Sequence, residues 1–126
     1  MFKAETHDLL SLFAAMILAD KKVYAVEVEA FSNSVIEFFI KTDISPVPTQ
    51  EQLFEWFEAN RKTIKSKHTQ ADFEMWFEAL MQRVDQVYSI KAVVEVMETI
   101  ALSDDELHIS EKALMVLVDR YWLRAA

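Results

Sequence analysis

No glycine occurs anywhere in the 126 residues, and that absence constrains the chain more than any residue it contains. Phosphate-cradling loops, the dinucleotide fingerprint and the nucleophile elbow all place backbone where glycine alone sits without cost. Composition therefore excludes those enzyme classes. What remains is a helical rhythm, and no segment sustains a period-two alternation bounded by turn residues. The expected architecture is all-α: a single-domain bundle of about six helices over residues 1–126.

The rhythm can be followed along the chain. Leu9, Leu10, Phe13, Met16 and Ile17 mark one face of a helix over about residues 5–19, and Val28, Phe31, Val35, Phe38 and Phe39 one over about 25–41. Pro46 and Pro48 break the pattern, since two prolines so close cannot sit inside a helix. Thr49 and Gln52 have capping-box spacing and open a third helix with Leu53, Trp56 and Phe57. The basic stretch 60–67 either extends that helix or forms a connector. Residues 69–72 resemble another start signal, before a stripe of Phe73, Trp76, Phe77, Leu80, Met81, Val84, Val87 and Tyr88. Ser89 is the expected cap of a fifth helix carrying Val93, Val94, Met97, Ile100 and Ala101. Leu114, Leu117, Val118, Tyr121 and Trp122 mark the sixth. The aromatic clusters at 54–57 and 73–77 read as core, any exposed excess marking a partner surface.

A formal net charge of −8 disfavours nucleic acid and anionic membrane surfaces, which are bound mainly through Lys and Arg. Cations or basic proteins suit it better. Without cysteine there is no disulfide framework, thiol nucleophile or Cys-based zinc site. The N-terminus lacks the basic-then-apolar order of a signal peptide, and the longest apolar run, 12–19, is too short to span a bilayer. A soluble, unprocessed cytoplasmic protein is expected, with partners supplied in trans because the chain stops at Ala126.

Two acidic stretches stand in register. Residues 19–27 and 103–111 both read Asp, six residues, Glu, and Asp20 and Asp104, like Glu27 and Glu111, are 84 residues apart. Each stretch lies where one apolar helix ends and the next begins. The same shift pairs Leu9 with Val93, Leu10 with Val94, Phe13 with Met97 and Met16 with Ile100, and the agreement decays beyond the turns. An internal helix-turn-helix duplication accounts for this register.

These residues resemble the TerB-like proteins, named for a tellurite-resistance component. The family's mark is a helix ending in Ala-Asp-Gly, a hydrophobic residue two positions later and a Glu just inside the next helix. Ala19, Asp20, Val23 and Glu27 match it, as do Asp104, Leu107 and Glu111. The chain departs at Lys21 and Asp105, which take the Gly positions, and at Ser103. A left-handed turn there would cost on the order of 1 kcal/mol. The resemblance implies an all-helical, stress-associated domain with an acidic surface linked to metal binding and no established catalytic activity.

Two uses of the four carboxylates stay open. Glu27 and Glu111, near the third position of their helices, would accept backbone N–H bonds, and Asp20 and Asp104 would serve the turns. Alternatively, Asp20, Glu27, Asp104 and Glu111 would converge on a divalent cation, Ca²⁺ or Mg²⁺, although neither stretch has EF-hand spacing. His108 reads as an exposed helix-start residue, and His7 and His68 have no constellation around them. The expected function is a non-catalytic binding module for a divalent cation or a basic protein, with a metal-free protein–protein adaptor as the alternative. A carboxylate metal-dependent hydrolase is the weaker third reading, for want of paired metal-ligand or nucleophile motifs.

Overall fold

The computed structural model describes the backbone of residues 2–19, 24–101 and 109–123, and their side chains except at 24, 101, 109–113 and 123. Six α-helices follow in order: α1 (Ala4–Leu18), α2 (Tyr24–Lys41), α3 (Gln50–Lys67), α4 (Phe73–Asp85), α5 (Ile90–Ala101) and α6 (Ile109–Val118). A π-helical turn, Asp119–Leu123, closes the described chain. Among the described residues no strand occurs, and none of their helices is long and apolar enough to cross a membrane.

The bundle is built around α1. Every residue from Leu9 to Leu18 is buried, and α1 packs against each of the other five helices. The sequence pattern predicts a single apolar face; the structure buries the other sides as well, including Ser11, Leu12, Ala14, Ala15 and Leu18. A helix apolar all round belongs in an interior. The small side chains at 11, 14 and 15 leave room for close neighbours.

Cross-helix contacts fix the directions. Near the start of α1, His7 Nδ1 accepts a 3.0 Å hydrogen bond from Trp56 Nε1 early in α3, while late in α1 the Ala15 carbonyl meets His68 Nε2, just past α3, at 2.9 Å. These helices run parallel. Asp8 pairs with Arg83 near the end of α4, and Trp122, beyond α6, donates to Asp85 there, so α4 and α6 run opposite to α1. Tyr88, entering α5, meets Phe38 late in α2 edge-on at 5.8 Å. Thus α1, α3 and α5 point one way and α2, α4 and α6 the other. The junctions of α1 with α2 and of α5 with α6 consequently lie at one end of the bundle.

Local chemistry explains the boundaries. Thr49 and Gln52 form the expected capping box, with bonds of 3.0 and 3.1 Å. The basic stretch 60–67 is helix, with Lys65 and Lys67 in the last turn, where cations favour the negative helix end. Residues 69–72 supply no side-chain cap: Asp72 makes none, and the Thr69 hydroxyl bonds back to Ser66. The Ser89 cap is long, at 3.4 Å to the Ala92 amide.

With no glycine available, α2 ends on an aspartate. Asp43 has φ 56°, and the amides of Asp43 and Ile44 reach back to the carbonyls of Ile40 and Phe39, at 3.2 and 3.0 Å. That is the Schellman arrangement, with Asp at the left-handed position that Gly normally takes.

The aromatic clusters divide. Trp56, Phe57 and Phe77 are buried, and Phe31 packs on both Trp56 and Phe57. Phe54 and Met75 are 40% and 74% exposed, so they are not core.

Candidate functional site

Glu27 lies in the first turn of α2, as the spacing predicts, but its carboxylate turns inward. The side chain is fully buried, and Oε1 accepts from Arg61 of α3, 3.1 Å from Nε and 2.9 Å from Nη2. Burying a carboxylate unpaired would be prohibitive, so the guanidinium is the condition of its position. Residues 27 and 61 become partners because α2 and α3 run antiparallel, bringing the start of one against the later half of the other. A local reading of either helix could not reveal this contact.

The second oxygen, Oε2, is buried and has no hydrogen-bond partner. It retains lone pairs able to receive a donor, a water or a cation. A divalent cation there would face the Arg61 charge, and repulsion between charges a few ångströms apart amounts to several kcal/mol even at an effective dielectric of about 20. Glu27 therefore fits a metal centre only as a donor of one oxygen, with the other ligands supplied from elsewhere. Among the described residues no group of three or more His, Asp or Glu side chains is placed to hold a metal ion.

The remaining predicted site residues lie beyond this picture. Asp20 and Asp104 are outside the described residues, as are Lys21, Asp105 and His108; Glu111 has its backbone in α6, but its side chain is outside them. The fold brings together the helix ends that flank both acidic stretches.

Two histidines that the sequence leaves without a role do structural work. His7 accepts from Trp56 and meets its ring edge-on, with centroids 5.4 Å apart. His68, half-buried, contacts the Ala15 carbonyl and stacks on Phe73 at 4.5 Å. Burial pushes its pKa below the usual histidine value, with the Ala15 carbonyl offsetting part of the shift. Both interactions join the basic end or the aromatic face of α3 to α1, contacts that sequence separation conceals.

The family model of tellurite resistance protein TerB matches residues 6–121. The chain belongs to the TerB family. Comparisons with curated proteins and with solved structures gave no match. The matched range takes in both acidic stretches together with α3 and α4 between them.

Proposed function

We propose that this TerB domain is a non-catalytic binding module of the tellurite-resistance kind, working through the end of the bundle where α1 meets α2 and α5 meets α6. Its ligand is a divalent cation, Ca²⁺ or Mg²⁺, held by the acidic stretches with Asp20 and Asp104 as principal donors and Glu111 and the free oxygen of Glu27 beside them. The observation that supports this reading most directly is the buried, unpartnered Oε2 of Glu27 at that end. Hard cations favour such carboxylate oxygens.

The alternative is a metal-free adaptor that presents the same acidic end to a basic protein in the cytoplasm. The Arg61 pair favours it, because a guanidinium already neutralises the one carboxylate seen in full. Titrating ¹⁵N-labelled protein with Ca²⁺, Mg²⁺, Mn²⁺ and Zn²⁺ separates the two. The cation reading expects saturable shifts of amides at 19–27 and 103–111, lost in the Asp20→Asn/Asp104→Asn variant, which retains its helical circular dichroism. Absence of a saturable shift with all four cations leaves the adaptor.

A further inference from the structure

At the end of the bundle opposite the helix ends that flank the acidic stretches, a cavity of about 590 Å³ opens between the start of α1, the loop from α2 to α3 and the link from α4 to α5. Its volume lies within the range of about 300–1,000 Å³ usual for small-molecule sites. Phe2, Phe39, Ile44, Pro46 and Val87 supply apolar wall. Phe39 and Ile44 are held there by the Schellman turn at Asp43, whose backbone bonds tie these two residues together.

The polar inventory of the cavity is largely committed. Thr49 and Gln52 satisfy one another in the capping box. Tyr88, whose phenol burial pushes upward, has the Thr6 side chain beside it. The charged groups on the lining are Lys3 and Glu5. Both are exposed, and neither has an ion-pair partner among the described residues. Lys3 is also the N-cap of α1 and places no side-chain hydrogen bond on that helix end, so the positive helix terminus adds to its attraction for an anion. An anionic ligand would meet Glu5, and a cationic one would meet Lys3. A ligand carrying both charges next to an apolar body satisfies the whole rim.

We propose that this cavity binds a small amphipathic zwitterion, an α-amino acid with a large apolar side chain, its carboxylate toward Lys3, its ammonium toward Glu5 and its side chain among Phe39, Ile44 and Val87. Bulk charge does not select this ligand, since the chain as a whole is acidic; the opposed local pair does. With a ligand of this size and exposed charge partners, binding is in the millimolar range.

The test uses three probes sharing one ring: L-phenylalanine, phenethylamine and 3-phenylpropionate, each titrated into ¹⁵N-labelled full-length protein. Phenylalanine is expected to give saturable shifts at the amides of 44, 45, 47, 49, 87 and 88, and to bind more tightly than either singly charged probe. Lys3→Glu should weaken phenylalanine about threefold to fivefold and leave phenethylamine no weaker, while Glu5→Gln should weaken phenylalanine and strengthen 3-phenylpropionate. Circular dichroism checks that both surface variants remain folded. Either singly charged probe binding as tightly as phenylalanine overturns the proposal, as do shifts that map elsewhere or fail to saturate. Because the cavity and the helix ends that flank the acidic stretches lie at opposite ends of the bundle, this result and that of the cation titration are independent.

Discussion

Helices α1 and α5 share an apolar phase 84 residues apart, yet they are used differently. On their common face, Leu9, Leu10, Phe13 and Met16 correspond to Val93, Val94, Met97 and Ile100, and all eight are buried. On the other face, α1 has Ser11, Ala14 and Ala15, where α5 has Glu95, Glu98 and Thr99. The first set is buried, whereas Glu98 and Thr99 are exposed and Glu95 is partly so. The difference is what covers each helix. Against α1 stand α3 and α4 in addition to the helices it shares with α5, and small side chains admit them. The two helices thus share one buried face, while the other face of α1 is taken up by helices that lie between them in sequence.

The sharpest way to break this comparison is to give α1 the residue of α5. Ser11→Glu places a charge in the packed interior, at a cost on the order of 5 kcal/mol, comparable to the whole stability of a small domain. The expected outcome is loss of cooperative thermal unfolding and of the folded amide spectrum. A variant that stays folded with a normal melting transition would mean that this side of α1 is not closed by α3 and α4.

Next in size is the pair that fastens α2 to α3. Arg61→Ala leaves the Glu27 carboxylate buried without its guanidinium and is expected to cost about 3 kcal/mol in chemical denaturation. Replacing both residues, as Glu27→Met with Arg61→Leu, should recover most of that loss, because an apolar pair can replace a buried ion pair at little cost. If the double variant is no more stable than Arg61→Ala, Arg61 acts through contacts other than Glu27. This pair also calibrates the cation titration, since Asp20→Asn/Asp104→Asn is expected to change binding without the loss of stability that Arg61→Ala brings.

What could be read from the sequence follows from the range of each interaction. The six helices, the Thr49–Gln52 box and the core positions of α4 were legible because they depend on spacing within a few residues. The central place of α1 had a signal, namely the run from Leu9 to Ala19 with no charged residue, but a stripe of large apolar positions drew attention to one face. Ser11, Ala14 and Ala15 within that run were the clue to the second face. The inward turn of Glu27 had none. Its partner is 34 residues away on another helix, and a first-turn Glu is equally at home on a helix dipole. His68 was illegible for the same reason, its partners Ala15 and Phe73 being assembled only when α1, α3 and α4 pack.

His68 offers a milder test of the same contrast, since it closes the last turn of α1, whereas the hydroxyl of Thr99, the register mate of Ala15, bonds within α5, to the Glu95 carbonyl. Its folded-state pKa lies below the ordinary value of about 6.5. Above that pH both folded and unfolded chains hold it neutral, and its contribution is complete. As pH falls below about 6.5 the unfolded chain takes up a proton that the folded one resists, so stability declines until the folded pKa is passed. The slope is at most about 1.4 kcal/mol per pH unit, and solvent at the half-buried ring keeps it lower. Denaturation at pH 7.5 and 5.5 should show a larger loss in the wild type than in His68→Gln; equal losses would place the acid sensitivity in other groups.

The smallest effect is expected from the reciprocal exchange, Glu95→Ser, which gives α5 the residue of α1. Glu95 pairs with Lys41 at 2.7 Å, and each holds the other's pKa toward its charged form: the lysine is raised and the glutamate lowered. Those directions describe a surface pair in water, where the attraction is screened and two flexible side chains must be held still. Glu95→Ser should leave the denaturation midpoint unchanged within error at 0.15 M salt, with any loss visible only at low ionic strength. The asymmetry between Ser11→Glu and Glu95→Ser, one exchange made in both directions, is the quantity that separates a buried face from a solvated one. A substantial loss from Glu95→Ser at high salt would mean that this face of α5 is also covered, and the two copies would then be more alike than their burial indicates.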